Sequence, residues 1–169
     1  MRDCRILTFF VSIWPLIGGV ALAAETNANP VATIAWEKDY IHAMDLANQQ
    51  HKMLLIFFSA PNDTQSRRLE AETFGNAEVM AKQGGFVSLR LTMDAKVTAE
   101  GKDFVLLQHP TLREMLGRPG IAIADFAHDD EHLHGRIVSC FPLCGSLWYG
   151  PAEMKVILDL PPGTITQRT

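Results

Sequence analysis

Residues 53–70 read MLLIFFSAPNDTQSRRLE, an apolar run that breaks at Pro61 and resumes as a charged stretch. Met53 to Phe58 is continuously apolar, too short for an independent helix and closed by Pro61-Asn62-Asp63. That pattern predicts a strand covered on both faces, as in a sheet flanked by helices. Asn62 or Asp63 then offers a natural N-cap for a helix over residues 64–74. Strand, tight turn and helix in this order form the first half of a βαβ unit, which points to an α/β fold.

The flanking sequence extends the same reading. Upstream, Trp36, Tyr40, Met44 and Ala47 recur at helical spacing, with Glu37, Lys38, Asp45 and Gln49 on the other side, which predicts an amphipathic helix over 36–50. Downstream, Asn76 can cap a short helix through Gln83 that Gly84-Gly85 stops. Phe86 to Met93 alternates two sets of side chains and predicts a half-buried strand. Thr98 to Gly117 reads as a polar loop followed by a helical segment over Thr111 to Leu116. Ile121 to Phe126 and Gly135 to Phe141 read as strands joined by the polar turn His128 to His132. Pro151 opens a last helix through Leu160, and Pro161-Pro162-Gly163 ends it. The expected architecture is a sandwich with a central mixed sheet of about four strands flanked by helices.

Composition narrows the function classes. The chain has 169 residues, 47% hydrophobic and 20% charged, with a net charge of −4. Those values fit one globular domain and exclude a disordered chain. No clustered basic face suggests nucleic acid, and Arg67-Arg68 is the only adjacent basic pair. The N-terminus reads differently. Arg2 and Arg5 precede the apolar run Ile6 to Leu22, and Ala21-Leu22-Ala23 supplies the small residues that a signal peptidase inspects. Residues 1–23 therefore read as a signal peptide, residues 24–35 as a linker, 36–160 as the domain and 161–169 as a C-terminal tail. The expected location is exported, periplasmic or secreted, with no membrane association after cleavage. Cleavage would remove two of 15 basic and one of 19 acidic side chains, leaving a net charge of −5.

Particular residues carry a family resemblance. Phe57-Phe58-Ser59 ends the buried strand, and Arg67-Arg68-Leu69-Glu70, Glu72-Thr73-Phe74 and Asn76-Ala77-Glu78-Val79 follow in order. Gly117-Arg118-Pro119 precedes a strand, and Gly135-Arg136-Ile137-Val138 opens the next. In order and spacing these resemble the thioredoxin superfamily, in particular exported domains related to thiol:disulfide interchange proteins, over roughly residues 36–160. The resemblance implies a thioredoxin-like fold, a cis-proline loop at Arg118 and Pro119, and a groove that docks extended peptides. It also locates the departure. Asp63 and Ser66 stand at the positions of the family's Cys-x-x-Cys pair, and no cysteine occurs between Cys4 and Cys140. Thiol–disulfide exchange needs an attacking thiolate and a resolving thiol. A serine hydrolase role for Ser66 would need an adjacent base, and no histidine lies near it in sequence.

Three other groups invite chemistry. Cys140 and Cys144 are the remaining thiols. Fully extended they would stand about 13 Å apart, beyond disulfide reach, whereas a turn at Pro142 and Gly145 would bring them together. A disulfide and two unpaired thiols both remain open. His128, His132 and His134, with Asp129, Asp130 and Glu131 between, form the densest cluster of ligand types, but in a turn where polar residues are expected anyway. No metal and no cofactor is assigned. Trp148-Tyr149 offers either a contact patch or core packing. The expected function is a non-catalytic binding or accessory module, not a conventional thioredoxin-type oxidoreductase, whose partner is an extended peptide or another exported protein. The alternative is a redox protein of altered type using Cys140 and Cys144.

Overall fold

The Asp39 carboxylate accepts the His42 N–H at 2.7 Å, and this cap, not the upstream Trp36, starts the first helix. A computed structural model describes residues 34–99 and 101–160. The expected signal peptide, nearly all of the linker, Cys4 and the C-terminal tail lie outside the described residues. In chain order the elements are β1 (Trp36–Glu37), α1 (Tyr40–Gln50), β2 (Met53–Ser59), α2 (Thr64–Arg68), α3 (Ala77–Gln83) and β3 (Phe86–Thr92). After these come β4 (Lys96–Ala99), β5 (Lys102–Val105), β6 (Gly120–Asp125), β7 (Arg136–Pro142) and α4 (Pro151–Asp159).

The fold is mixed α/β, built on a five-stranded sheet of order β1-β3-β2-β6-β7. β3 runs parallel to β1 and β2, whereas β6 is antiparallel to both β2 and β7. β2 is central, and its residues from Leu54 to Phe58 are fully buried. Alternation divides them between two cores. Leu54, Ile56 and Phe58 pack with Val87, Leu89 and Leu91 of β3 under Ala43 and Ala47 of α1. Leu55 and Phe57 pack on the other face with Leu69, Val79 and Met154. Each such side chain contributes about 1.5–3 kcal/mol by leaving water.

Four expectations are corrected. The first helix begins at Tyr40, and Trp36 instead belongs to edge strand β1, its ring edge-on to Phe74 at 5.0 Å. That strand raises the sheet from four strands to five. β3 is covered on both faces, because Ser88 is buried and Arg90 is ion-paired with Glu70. The stretch read as a polar loop carries the hairpin β4–β5, which turns through Gly101 at φ 74° and buries Val97. The helix expected over 64–74 is continuous but widens after Arg68 into a π turn over Leu69–Thr73, where the Phe74 N–H reaches back to the Leu69 carbonyl.

Candidate functional site

β2 delivers the chain into a loop that its own polar groups close. The Asp63 N–H donates to the Ala60 carbonyl at 3.0 Å, and the Asp63 carboxylate accepts the Ser66 N–H at 2.6 Å, capping α2. The Ser66 hydroxyl accepts the Ala60 N–H at 2.9 Å, and Ser66 is only 1% exposed. One residue earlier, the Ser59 hydroxyl donates to the Leu91 carbonyl, tying β2 to β3. Asp63 and Ser66 thus act as a helix cap and a loop staple. Neither has a basic partner among the described residues that could activate a nucleophile.

The β2–β6 register brings Pro119 to this loop. Phe58 pairs with Gly120, so one step further sets Pro119 beside Ser59, at the root of the loop. The expected cis bond is corrected: every peptide bond among the described residues is trans, including that between Arg118 and Pro119. The reversal into β6 is made by its neighbours. Leu116 and Gly117 adopt left-handed φ values of 55° and 64°, and Gly120 has φ 147°. A Cβ on Gly120 would collide with the Phe141 carbonyl, so only glycine fits there. The backbone groups that could receive a peptide strand are mostly engaged. The Arg118 N–H donates to the Met115 carbonyl at 2.9 Å, and the Pro119 carbonyl accepts the Leu143 N–H at 2.8 Å.

A third segment completes this end of the sheet. After β7, residues 143–150 cross back over α2, with the Arg68 guanidinium stacked 3.7 Å above the Trp148 ring. The Thr73 hydroxyl donates to the Tyr149 carbonyl at 2.6 Å, and the Tyr149 hydroxyl donates to the Pro142 carbonyl at 3.2 Å. Burial raises the Tyr149 phenol pKa above its ordinary value, with Cys144 adding to the effect. Trp148 and Tyr149 are both half-buried, and the Tyr149 ring packs edge-on to Phe141 at 5.8 Å. Exposed apolar side chains remain at Leu116 (67%) and Leu147 (49%).

Cys140 and Cys144 are both unpaired, so the disulfide left open by the sequence is not formed. β7 stays extended through Pro142, and Leu143 still pairs with Pro119. The turn begins only at Cys144, whose carbonyl accepts the Leu147 N–H. The reversal therefore comes after the second cysteine, not between the two. Burial pushes the Cys140 thiol up to about 12, with a further push from Glu114. At neutral pH it is not a nucleophile.

Two of the three clustered histidines, His128 and His134, are held by structural hydrogen bonds. The His128 Nδ1 lies 3.0 Å from the buried Asp125 carboxylate. The His134 ring bridges the His128 carbonyl and the Asn48 amide oxygen. Among the described residues no three His, Cys, Asp or Glu side chains are grouped to hold a metal ion. Sequence reasoning missed the Arg68–Trp148 stack, the left-handed Leu116 and Gln83. The Gln83 carboxamide is buried with neither its oxygen nor its nitrogen hydrogen-bonded. No local pattern announces the first two, and Gln83 reads as an ordinary last-turn helix residue. No family model matches the chain, and no curated protein does either.

Proposed function

We propose that the chain is an exported, thioredoxin-like binding module without redox catalysis, and that it holds its partner at the end of the sheet where residues 60–68, 116–119 and 143–149 meet. The fold reading is supported by the strand order β1-β3-β2-β6-β7, with a parallel β1-β3-β2 half and an antiparallel β6–β7 hairpin. The observation that carries the functional reading is the staple between Ser66 and Ala60. Where the resemblance implies two reactive thiols, this loop spends its side chains on closing itself. Export is supported by the charged start, the apolar run and the Ala21-Leu22-Ala23 site.

The partner contact is made by side chains. Arg118 and Pro119 offer little free backbone for a docked strand, so exposed Leu116 and Leu147, with the Arg68–Trp148 stack between loops, supply the surface. A left-handed leucine that is two-thirds exposed is a costly arrangement that core packing does not explain, as expected for a contact residue. The redox alternative needs Cys140 and Cys144 to work as a pair, and against this stand the extended backbone that carries β7 past Cys140 to Pro142 and the burial that pushes the Cys140 thiol up to about 12. Site-specific photo-crosslinking in the exported fraction tests the reading. A crosslinker at Leu116 or Leu147 should capture one discrete partner, and the same group at Val156 on α4 should not. Equal capture from all three positions contradicts it.

A further inference from the structure

We propose that the cavity between the end of α3 and the start of β3 is a small-molecule site, which takes a neutral cyclic amide through the carboxamide of Gln83. Phe86 in its wall pairs with Met53, the first residue of β2, so the cavity lies at the end of the sheet remote from the loop at residues 60–68. The cavity has a volume of about 180 Å³. Ile34, Met80 and Phe86 form apolar walls, and Gln83 and Ser88 are its polar side chains. An apolar cavity of about 150 Å³ holds benzene, so a single six-membered ring fits here.

Gln83 is the residue that asks for a ligand. It ends α3, is 3% exposed, and neither its amide oxygen nor its amide nitrogen has a hydrogen-bond partner among the described residues. Folded proteins leave few buried polar groups in that state, because each has given up its water for nothing. The side chain already forms part of the cavity wall. The last torsion of a glutamine side chain is broad and roughly two-fold, so the amide can turn towards the cavity at little cost. It breaks no hydrogen bond in turning, because it makes none.

The ligand class follows from what a carboxamide offers. It presents one acceptor and one donor side by side in a plane. The complement is an N–H and a C=O on the same side of a ligand, as in the cis amide of a lactam, which closes two hydrogen bonds with Gln83. A ketone of the same shape satisfies the Gln83 nitrogen and leaves the oxygen unpaired, which is the basis of discrimination. A carboxylate or an ammonium is disfavoured, because no charged side chain lines the cavity to compensate its lost hydration.

2-Piperidone, a six-membered lactam, and cyclohexanone, the ketone of the same shape, serve as probes, read by NMR of the full chain. 2-Piperidone should give saturable shifts at the methyls of Ile34 and Met80 and at the side-chain amide of Gln83. It should bind about tenfold or more tightly than cyclohexanone. Gln83→Met keeps the length of the side chain and removes the amide. It should weaken 2-piperidone about tenfold or more and reverse the preference, so that cyclohexanone binds the more tightly. Absence of saturable shifts with 2-piperidone, an unmoved Gln83 amide, cyclohexanone binding the wild type as tightly, or an unchanged 2-piperidone affinity in Gln83→Met would each overturn the proposal.

Discussion

The Ser66 hydroxyl oxygen lies 2.9 Å from the Ala60 nitrogen and accepts its hydrogen bond, while the Ser66 N–H donates to Asp63. Two side chains thus fix the whole passage from β2 into α2. Ser66→Ala removes the acceptor and leaves a part-buried N–H unpaired, which should cost about 1–2 kcal/mol. Asp63→Ala removes the cap and should cost about 1 kcal/mol. Urea unfolding checks both, as a lower midpoint at unchanged slope. Variants as stable as the wild type would mean that the loop is not held in this way.

Leu116 should separate stability from binding. Its φ of 55° is unfavourable for any residue with a Cβ, and its side chain is 67% exposed. Leu116→Gly should therefore raise stability by about 0.5–1 kcal/mol, the relief of strain exceeding the entropy that glycine adds to the unfolded chain. The same variant should lose the partner captured by crosslinking from Leu147. A destabilised variant would contradict the strain, and undiminished capture would contradict the contact.

Gln83 offers a gain of another kind. It is 3% exposed, and its carboxamide has no hydrogen-bond partner for either atom. Gln83→Met keeps the length of the side chain and removes the unpaired groups. It should stabilise the fold by about 1–3 kcal/mol, measured by the same urea titration. A loss of stability would mean that the amide has a partner in solution.

Cys140 should be inert. Because burial raises its pKa from 9.0 to about 12, the folded state holds its proton above pH 9 while the unfolded state releases it. Its contribution to stability is therefore constant below about pH 9 and declines as pH rises from there towards 12. In a Cys144→Ser background, alkylation of Cys140 at pH 8 should be at least tenfold slower in the folded protein than in denaturant. Equal rates would contradict the burial.

The residues that define the centre of the fold are legible in the sequence. The unbroken run from Met53 to Phe58, the Asn76 cap and the opening proline of α4 all act through local chemistry, and each lies where its pattern implies, whereas the alternation from Phe86 to Met93 places β3 but not the burial of Ser88 on its second face. Trp36 misleads because its spacing to Tyr40 suits a helix, while Asp39 between them stops the helix from extending back. The hairpin β4–β5 hides because its turn at Gly101 lacks the usual Asn-Gly pairing and, among the described side chains of its strands, only Val97 is buried. At the site, the capping role available to Asp63 is readable, since helix caps are local. The reversal that leads into β6 is not, because it rests on left-handed backbone at Leu116 and Gly117, and a leucine in that conformation has no local signature.

The central claim is that this chain lacks thiol–disulfide catalysis, both at the loop where the resemblance implies it and at Cys140 and Cys144. Insulin reduction by dithiothreitol, followed by turbidity with this chain as the added catalyst, tests that claim most directly. The expected result is the uncatalysed rate, unchanged when Cys140 and Cys144 are both replaced by serine. A rate comparable to that of a thioredoxin, lost in the double serine variant, would contradict the account.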